Sequence, residues 1–285
     1  MSASPNPLDL LEGLLDKALK AGAEAADAVY GEGISLSVAR RLGAPEKLER
    51  SEGADLGLRV MIGKKQAIVS SSDTSGEALD ELVPRAVAMA RAVPDDPFCG
   101  LADPGQLAGD IPELDMLDET EPTADDLIDW ANRAEEAAMN VTGVTNSEGG
   151  EAGWGRSNIA FAATNGFART YSGSSFSISA SVLAGEGTGM ERDYDFCTEV
   201  YGDDLKSPEE VGRLAGEKAV KRLNPRKVET GQVPMVYDRR VSGGLLSHFT
   251  SAINGASIAR DTSFLKDSMG ELIFPKTINV IEDPH

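Results

Sequence analysis

The run Ser175-Phe-Ser-Ile-Ser-Ala-Ser-Val182 alternates hydroxyl and apolar side chains without a break. Successive side chains of an extended chain point to opposite faces, so this run forms a strand with one buried face and one hydroxyl face. A 3.6-residue period would scatter the same apolar set around a helix axis. Just upstream, Asn158–Thr164 and Phe167–Tyr171 flank Asn165-Gly166, two residues that tolerate the positive φ of a tight hairpin turn. Antiparallel sheet is the frame on which the remainder must be arranged.

Further strands are expected at Ile34–Ala39, Lys47–Ser51, Leu56–Ile62, Gln66–Ser71 and Met190–Val200, separated by Gly, Pro or Lys-Lys breaks. Helices alternate with them. Asn6 caps the first, Pro7 suits its first position, and Leu8, Leu11, Leu15, Ala18 and Leu19 recur at helical spacing until Gly22. A second helix spans Gly76–Ala92, with Pro84 forcing a late start or a bend. A third opens at Thr123-Ala-Asp-Asp126, a hydroxyl cap with a carboxylate three residues on. A fourth opens at Ser207-Pro208-Glu209-Glu210. The final stretch is expected to hold strands at Val233–Tyr237 and Ile273–Ile281 around a short helix from Ser242 to Gly255.

These elements define an α+β chain. Residues 1–98 read as an N-terminal helix-plus-antiparallel-sheet unit, and 99–122, rich in Pro, Asp and Gly, as a linker. Residues 123–226 read as a central unit of helices and a β-hairpin sheet. Residues 227–285 read as the start of a β-rich C-terminal domain, too short to bury a core of its own.

With 47 acidic and 27 basic residues the net charge is −20, which repels nucleic acid phosphates. Lys218, Lys221, Arg222, Arg226 and Lys227 form a local basic run, expected as the solvated end of the fourth helix. No direct nucleic-acid contact is expected. Residues 1–9 have neither a basic nor an apolar leader region, and no run approaches the length of a membrane span, so no membrane contact is expected. The two cysteines, Cys99 and Cys197, lie far apart, and cytoplasm is the natural compartment.

Histidine is the informative scarcity, with only His248 and His285. A helical hydrolytic zinc site needs two imidazoles a turn apart, so this chain cannot build one alone, and no cofactor is expected in it. Ser247 adjoins His248 but diverges from it, while Ser251 shares its helix face without an orienting carboxylate, so no nucleophilic pair is assigned. Ser242-Gly243-Gly244 would leave backbone N–H groups open at a helix start, suited to a carboxylate or a peptide carbonyl, or would serve close packing. Ser242, Gly243, Gly244, Ser247, His248 and Ser251 are thus the candidate groove positions. Glu191, Asp193 and Asp195 share one strand face, expected as solvated. Gly185–Gly189 contains GxGxG but joins two strands, which makes it a turn.

Several stretches resemble the TldD/PmbA family: Leu56–Lys64 followed by Ala67–Ser72, Ala90–Pro97, Ser157–Ser181, Met190–Asp195, and Val236–Phe264. Met190–Asp195 and Val236–Phe264 are most similar to its PmbA (TldE) branch. The resemblance implies a family described both as modulators of DNA gyrase and as peptidases of small peptides. Its TldD branch carries an HExxxH metal motif on the helix corresponding to Gly243–Gly255. Here that helix has one histidine and no glutamate, so catalytic residues carry over to no position. The resemblance implies a non-catalytic subunit that pairs with a zinc-bearing TldD-type partner, or a homodimer when alone, and holds an extended peptide. A metallopeptidase in its own right, or a non-proteolytic modulator binding gyrase-related proteins, are the alternatives.

Overall fold

The computed structural model describes residues 6–283 and divides into two compact units, one ending at Pro225 and one beginning at Arg226. The N-terminal residues read as lacking a leader, up to Pro5, and His285 lie outside the described residues.

The first unit is one six-stranded antiparallel sheet with four helices. Helix α1 (Pro7–Lys20) is followed by β1 (Ala25–Arg41), β2 (Ala44–Ile62), β3 (Lys65–Ser71) and α2 (Gly76–Ala92). After the connector come α3 (Ala124–Met139), β4 (Val144–Ala163), β5 (Ala168–Ala184), β6 (Glu191–Glu199) and α4 (Pro208–Lys221). The order is β3-β2-β1-β4-β5-β6. Each half is a helix, a three-stranded meander and a helix, and the halves meet along the β1–β4 pair. The strands expected on either side of the connector therefore share one sheet. Residues 47–51 and 56–62 are parts of one strand, because Glu52-Gly-Ala-Asp55 remains extended against Gly31–Ile34. Likewise Phe167–Tyr171 and Ser175–Val182 are one strand.

The helix caps are those the sequence encodes. Asn6 accepts from Leu8 N, Ser75 from Ala78 N, and Ser207 from Glu210 N, while Thr123 and Asp126 form a reciprocal capping box. Pro84 stays inside α2. In α1 the buried stripe is Leu11, Leu14, Leu15 and Ala18, and Leu19 is exposed.

All four helices lie on one face. Leu11, Leu14, Leu82 and Val87 pack on Ala28, Leu56, Leu58 and Ala160, and Leu127, Ala131 and Val211 pack around Leu36, Trp154, Phe176 and Ile178. These strand residues are even-numbered and share a face by the period-two rule. The odd face carries Ser35, Ser37, Gly153, Gly155, Ser175, Ser177, Ser179 and Ser181, and no helix of this unit covers it among the described residues. Two glycines set the α3–α4 approach: a Cβ on Gly212 would stand 2.0 Å from Ala134 O, and one on Gly216 2.8 Å from Ala138 O. Both elements come to backbone contact there because no side chain intervenes.

The connector has one 3₁₀ turn, Pro104–Gln106. Its last part is tied down. Met116 O accepts from Ser174 N (2.9 Å), Asp118 N donates to Ser174 Oγ (2.7 Å), and Glu119 and Glu121 pair with Arg156 and Arg50. It thus touches β5 at Ser174, β4 at Arg156 and β2 at Arg50.

The second unit contains α5 (Arg239–Ala252) and α6 (Gly255–Ala259). The strands expected at Val233–Tyr237 and Ile273–Ile281 do not form: both runs are irregular. Their apolar patterning is real, but a strand exists only where a neighbouring strand takes its backbone groups, and none does so among the described residues.

Candidate functional site

The helix expected from Ser242 begins three residues earlier. Asp238 is its cap, its carboxylate accepting from Arg240 N (2.9 Å). Ser242 N donates to Asp238 O (2.9 Å) and Ser242 Oγ to Arg239 O (2.9 Å). Ser242 is therefore in the first turn, and Gly243 and Gly244 lie inside the helix. The open backbone donors expected at Ser242-Gly243-Gly244 are not there, because an aspartate outcompetes a serine one turn later for the capping role.

Gly244, Ser247, His248 and Ser251 are all exposed on α5, and Gly244 and Ser251 each lie three or four residues from both Ser247 and His248, which are adjacent and diverge from each other. Among the described residues no hydrogen bond joins His248 to Ser251, and Thr250 Oγ1 donates to Ser247 O (3.1 Å). No three His, Cys, Asp or Glu side chains among the described residues converge as a metal site would require. α5 holds no carboxylate at all. Its C-terminal end is fastened by Ser263, whose buried hydroxyl donates to Ala252 O (2.5 Å) while accepting from Leu265 N (3.0 Å). Phe249 meets Phe274 edge to face at 5.2 Å. These positions form a supported polar surface with one imidazole.

Two charged groups lie elsewhere than expected. Asp193 and Asp195 are buried at 5% and 7% exposure, on the β6 face that packs against α4. There Arg222 and Lys218 meet them, so the basic end of α4 is partly turned inward onto carboxylates. Strand parity placed both acids on the face with Cys197, which the core claims. Sequence charge density alone pointed to solvent, whereas the period-two pattern through Cys197 carried the opposite signal.

Sequence reasoning also missed Glu135, a 5%-exposed carboxylate on α3. It accepts from Leu42 N (2.7 Å) and Gly43 N (3.3 Å) at the β1–β2 turn, and from the Ser147 hydroxyl at the β4 bulge. Leu42 and Gly43 both have positive φ, which aims their N–H groups together. Tyr201 marks a second cluster: its phenol donates to Asp115 and to Leu117 O, and the Asp115 carboxylate pushes it up to about 12. Asp118 accepts from Gly202 N (3.0 Å) and Thr120 N (2.8 Å), which hold its carboxyl below the usual range. No helix of the described chain is long and apolar enough to cross a membrane.

The structure defines an α+β chain, and comparison with known proteins relates it to a peptidase family. Residues 26–90, 117–223 and 230–285 match, respectively, domain 1, the central domain and the C-terminal domain of the PmbA/TldA metallopeptidases. The chain belongs to the PmbA/TldD family. It is 34% identical over 92% of its length to the metalloprotease PmbA of Escherichia coli O157:H7, and 34% over 95% to a PmbA homologue of Haemophilus influenzae. It spans 58% and 60% of those relatives. A Bacteroides thetaiotaomicron protein named for modulation of DNA gyrase superposes with a TM-score of 0.86 at 25% identity, over 94% of this chain and 62% of that one. TldE of Thermococcus kodakarensis has the same fold (TM-score 0.74, 16% identity, 90% of this chain and 57% of that one).

Proposed function

We infer that this chain is the non-catalytic, TldE-like subunit of a cytoplasmic peptidase complex acting on small or unfolded peptides. The observation that carries the reading is α5, where one imidazole stands with neither a second histidine nor a glutamate on the helix. Zinc hydrolysis needs several ligands and a base, so the metal belongs to a TldD-type partner. This subunit contributes the exposed positions Gly244, Ser247, His248 and Ser251 and the irregular backbone around them. These favour main-chain contacts to an extended peptide, with little selectivity for side chains. Degradation of an unfolded peptide, assayed with this protein, with a TldD-type partner and with both, tests it. Cleavage is expected only with both. Robust chelator-sensitive cleavage by this protein alone would end the reading.

The PmbA relatives are called metalloproteases, which favours a second reading: a metallopeptidase in its own right. Stoichiometric zinc in the purified protein, without a partner, supports that alternative. A gyrase-directed role, suggested by the name of the Bacteroides relative, predicts capture of gyrase subunits unaffected by chelators.

A further inference from the structure

Only two asparagines in the sequence precede glycine, in Asn165-Gly166 and Asn254-Gly255. Asparagine is a labile residue, and a following glycine leaves its own backbone nitrogen unshielded by a side chain. The fold treats the two pairs differently. Asn165 sits in the β4–β5 turn, where its amide nitrogen donates to Ala102 O (3.0 Å) and its oxygen accepts from Phe167 N (3.2 Å). Gly166 N donates to Ala163 O (3.1 Å). Freeing that nitrogen means opening a turn held by Ala163 N on Phe167 O (2.8 Å), Thr164 N on Ala26 O (2.9 Å) and Phe161 against Phe167. Asn254, by contrast, caps α6, and both it and Gly255 are exposed. Its oxygen accepts from Ala256 N (3.0 Å) and Ser257 N (3.4 Å), but among the described residues nothing accepts from the Gly255 N–H. Helix α6 is five residues long and buries none of them, so it opens at little cost.

We propose that Asn254 is a site of deamidation and isoaspartate formation in the folded protein, and that the sheet shields Asn165 from the same chemistry. In the closed helix the Asn254 ψ of 126° turns Gly255 N away from the side-chain carbon. When α6 opens, that nitrogen gives its proton to a base in the solvent and attacks Asn254 Cγ. The new C–N bond closes a succinimide ring, the Cγ–Nδ2 bond breaks, and the amide group takes a proton from water and leaves as ammonia. Water then adds to one of the two ring carbonyls. Opening on one side leaves aspartate, which caps a helix as well as asparagine does. Opening on the other leaves isoaspartate, whose main chain runs through Cγ and is longer by a methylene. The capping bonds to Ala256 N and Ser257 N are then lost, because the oxygen that made them has become part of the backbone. Both products add a negative charge. Asn254 lies between the end of α5 at Ala252 and the start of α6 at Gly255, so the isoaspartyl form loosens that joint and leaves the sheet of the first unit intact.

The test holds the purified, folded protein at mildly alkaline pH and samples it over time, by peptide mapping in a mass spectrometer and by labelling with an isoaspartyl methyltransferase. Modification is expected at Asn254, with Asn165 slower by about tenfold or more, as an opening cost larger by about 1.4 kcal/mol would give. In denaturant the two rates are expected to converge, since the protection resides in the fold. Gly255→Ala, whose new methyl group meets no atom within 4 Å, is expected to slow the reaction at Asn254 several-fold by shielding the nitrogen. Asn254→Ser keeps a capping oxygen and abolishes the label on that peptide. Amide exchange at Ser257 and Ile258 is expected to be faster in the isoaspartyl form than in the aspartyl form. Modification of Asn165 as fast as Asn254 in the folded protein overturns the proposal. So does modification of Asn254 only after denaturation, or a rate ratio that persists unchanged in denaturant.

Discussion

Glu135 illustrates how much one side chain can organise. Its carboxylate satisfies two backbone donors of the β1–β2 turn and the Ser147 hydroxyl, tying α3, the turn and the β4 bulge together. A buried donor left without its acceptor costs about 1–3 kcal/mol. Glu135→Ala is therefore expected to lower unfolding free energy by about 3 kcal/mol in a denaturant titration, with Glu135→Gln losing less. An alanine variant with wild-type stability would show that water substitutes freely at this place. Nothing in the sequence distinguishes Glu135 from Glu136 beside it except that it falls on the stripe of Leu127, Ala131, Ala134 and Ala138. A carboxylate on an apolar helix stripe is a legible signal, but its partners are 93 and 12 residues away.

At the scale of elements, the helices were legible and the reach of the strands was not. Caps are local chemistry, so Asn6, Thr123 and Ser207 could be read directly. Strand length depends on what lies alongside, so Glu52–Asp55, with no apolar alternation, is extended only because β1 pairs with it. The connector teaches the same lesson: Pro- and Asp-rich, it reads as a spacer, yet Asp118 caps Gly202 and anchors to Ser174. The Gly202 N–H, then the Thr120 group, lowers the Asp118 pKa in the fold. A lowered carboxyl stabilises the fold fully above its unfolded value, and this contribution disappears as pH falls through the folded value. The stability difference between wild type and Asp118→Ala is thus expected to be constant near neutrality and to shrink in acid. Denaturant midpoints measured from neutral to acid pH check this; a difference that grows in acid contradicts it.

At the scale of the whole molecule, the first unit is two meander halves, neither complete alone. The core of the first half includes Ala160 and Ala162 from the second, and that of the second includes Leu36 and Val38 from the first. Residues up to Pro225 are therefore expected to unfold in one cooperative step. Fluorescence of Trp130 and Trp154 reports the second half, and hydrogen exchange of β2 and β3 amides reports the first. Coincident midpoints are expected, and an earlier loss of protection in the first half would indicate separable units.

Periodicity, caps and turn residues specify from the chain alone that helices and antiparallel strands alternate here, and the shortage of imidazoles limits the metal chemistry available. Those properties are local, carried by neighbours within a turn or two. That the two halves form one sheet, and that Asp193 and Asp195 face inward onto α4, were settled by packing. Each depends on which of several competing partners, often a hundred residues distant, wins the same backbone group or buried space.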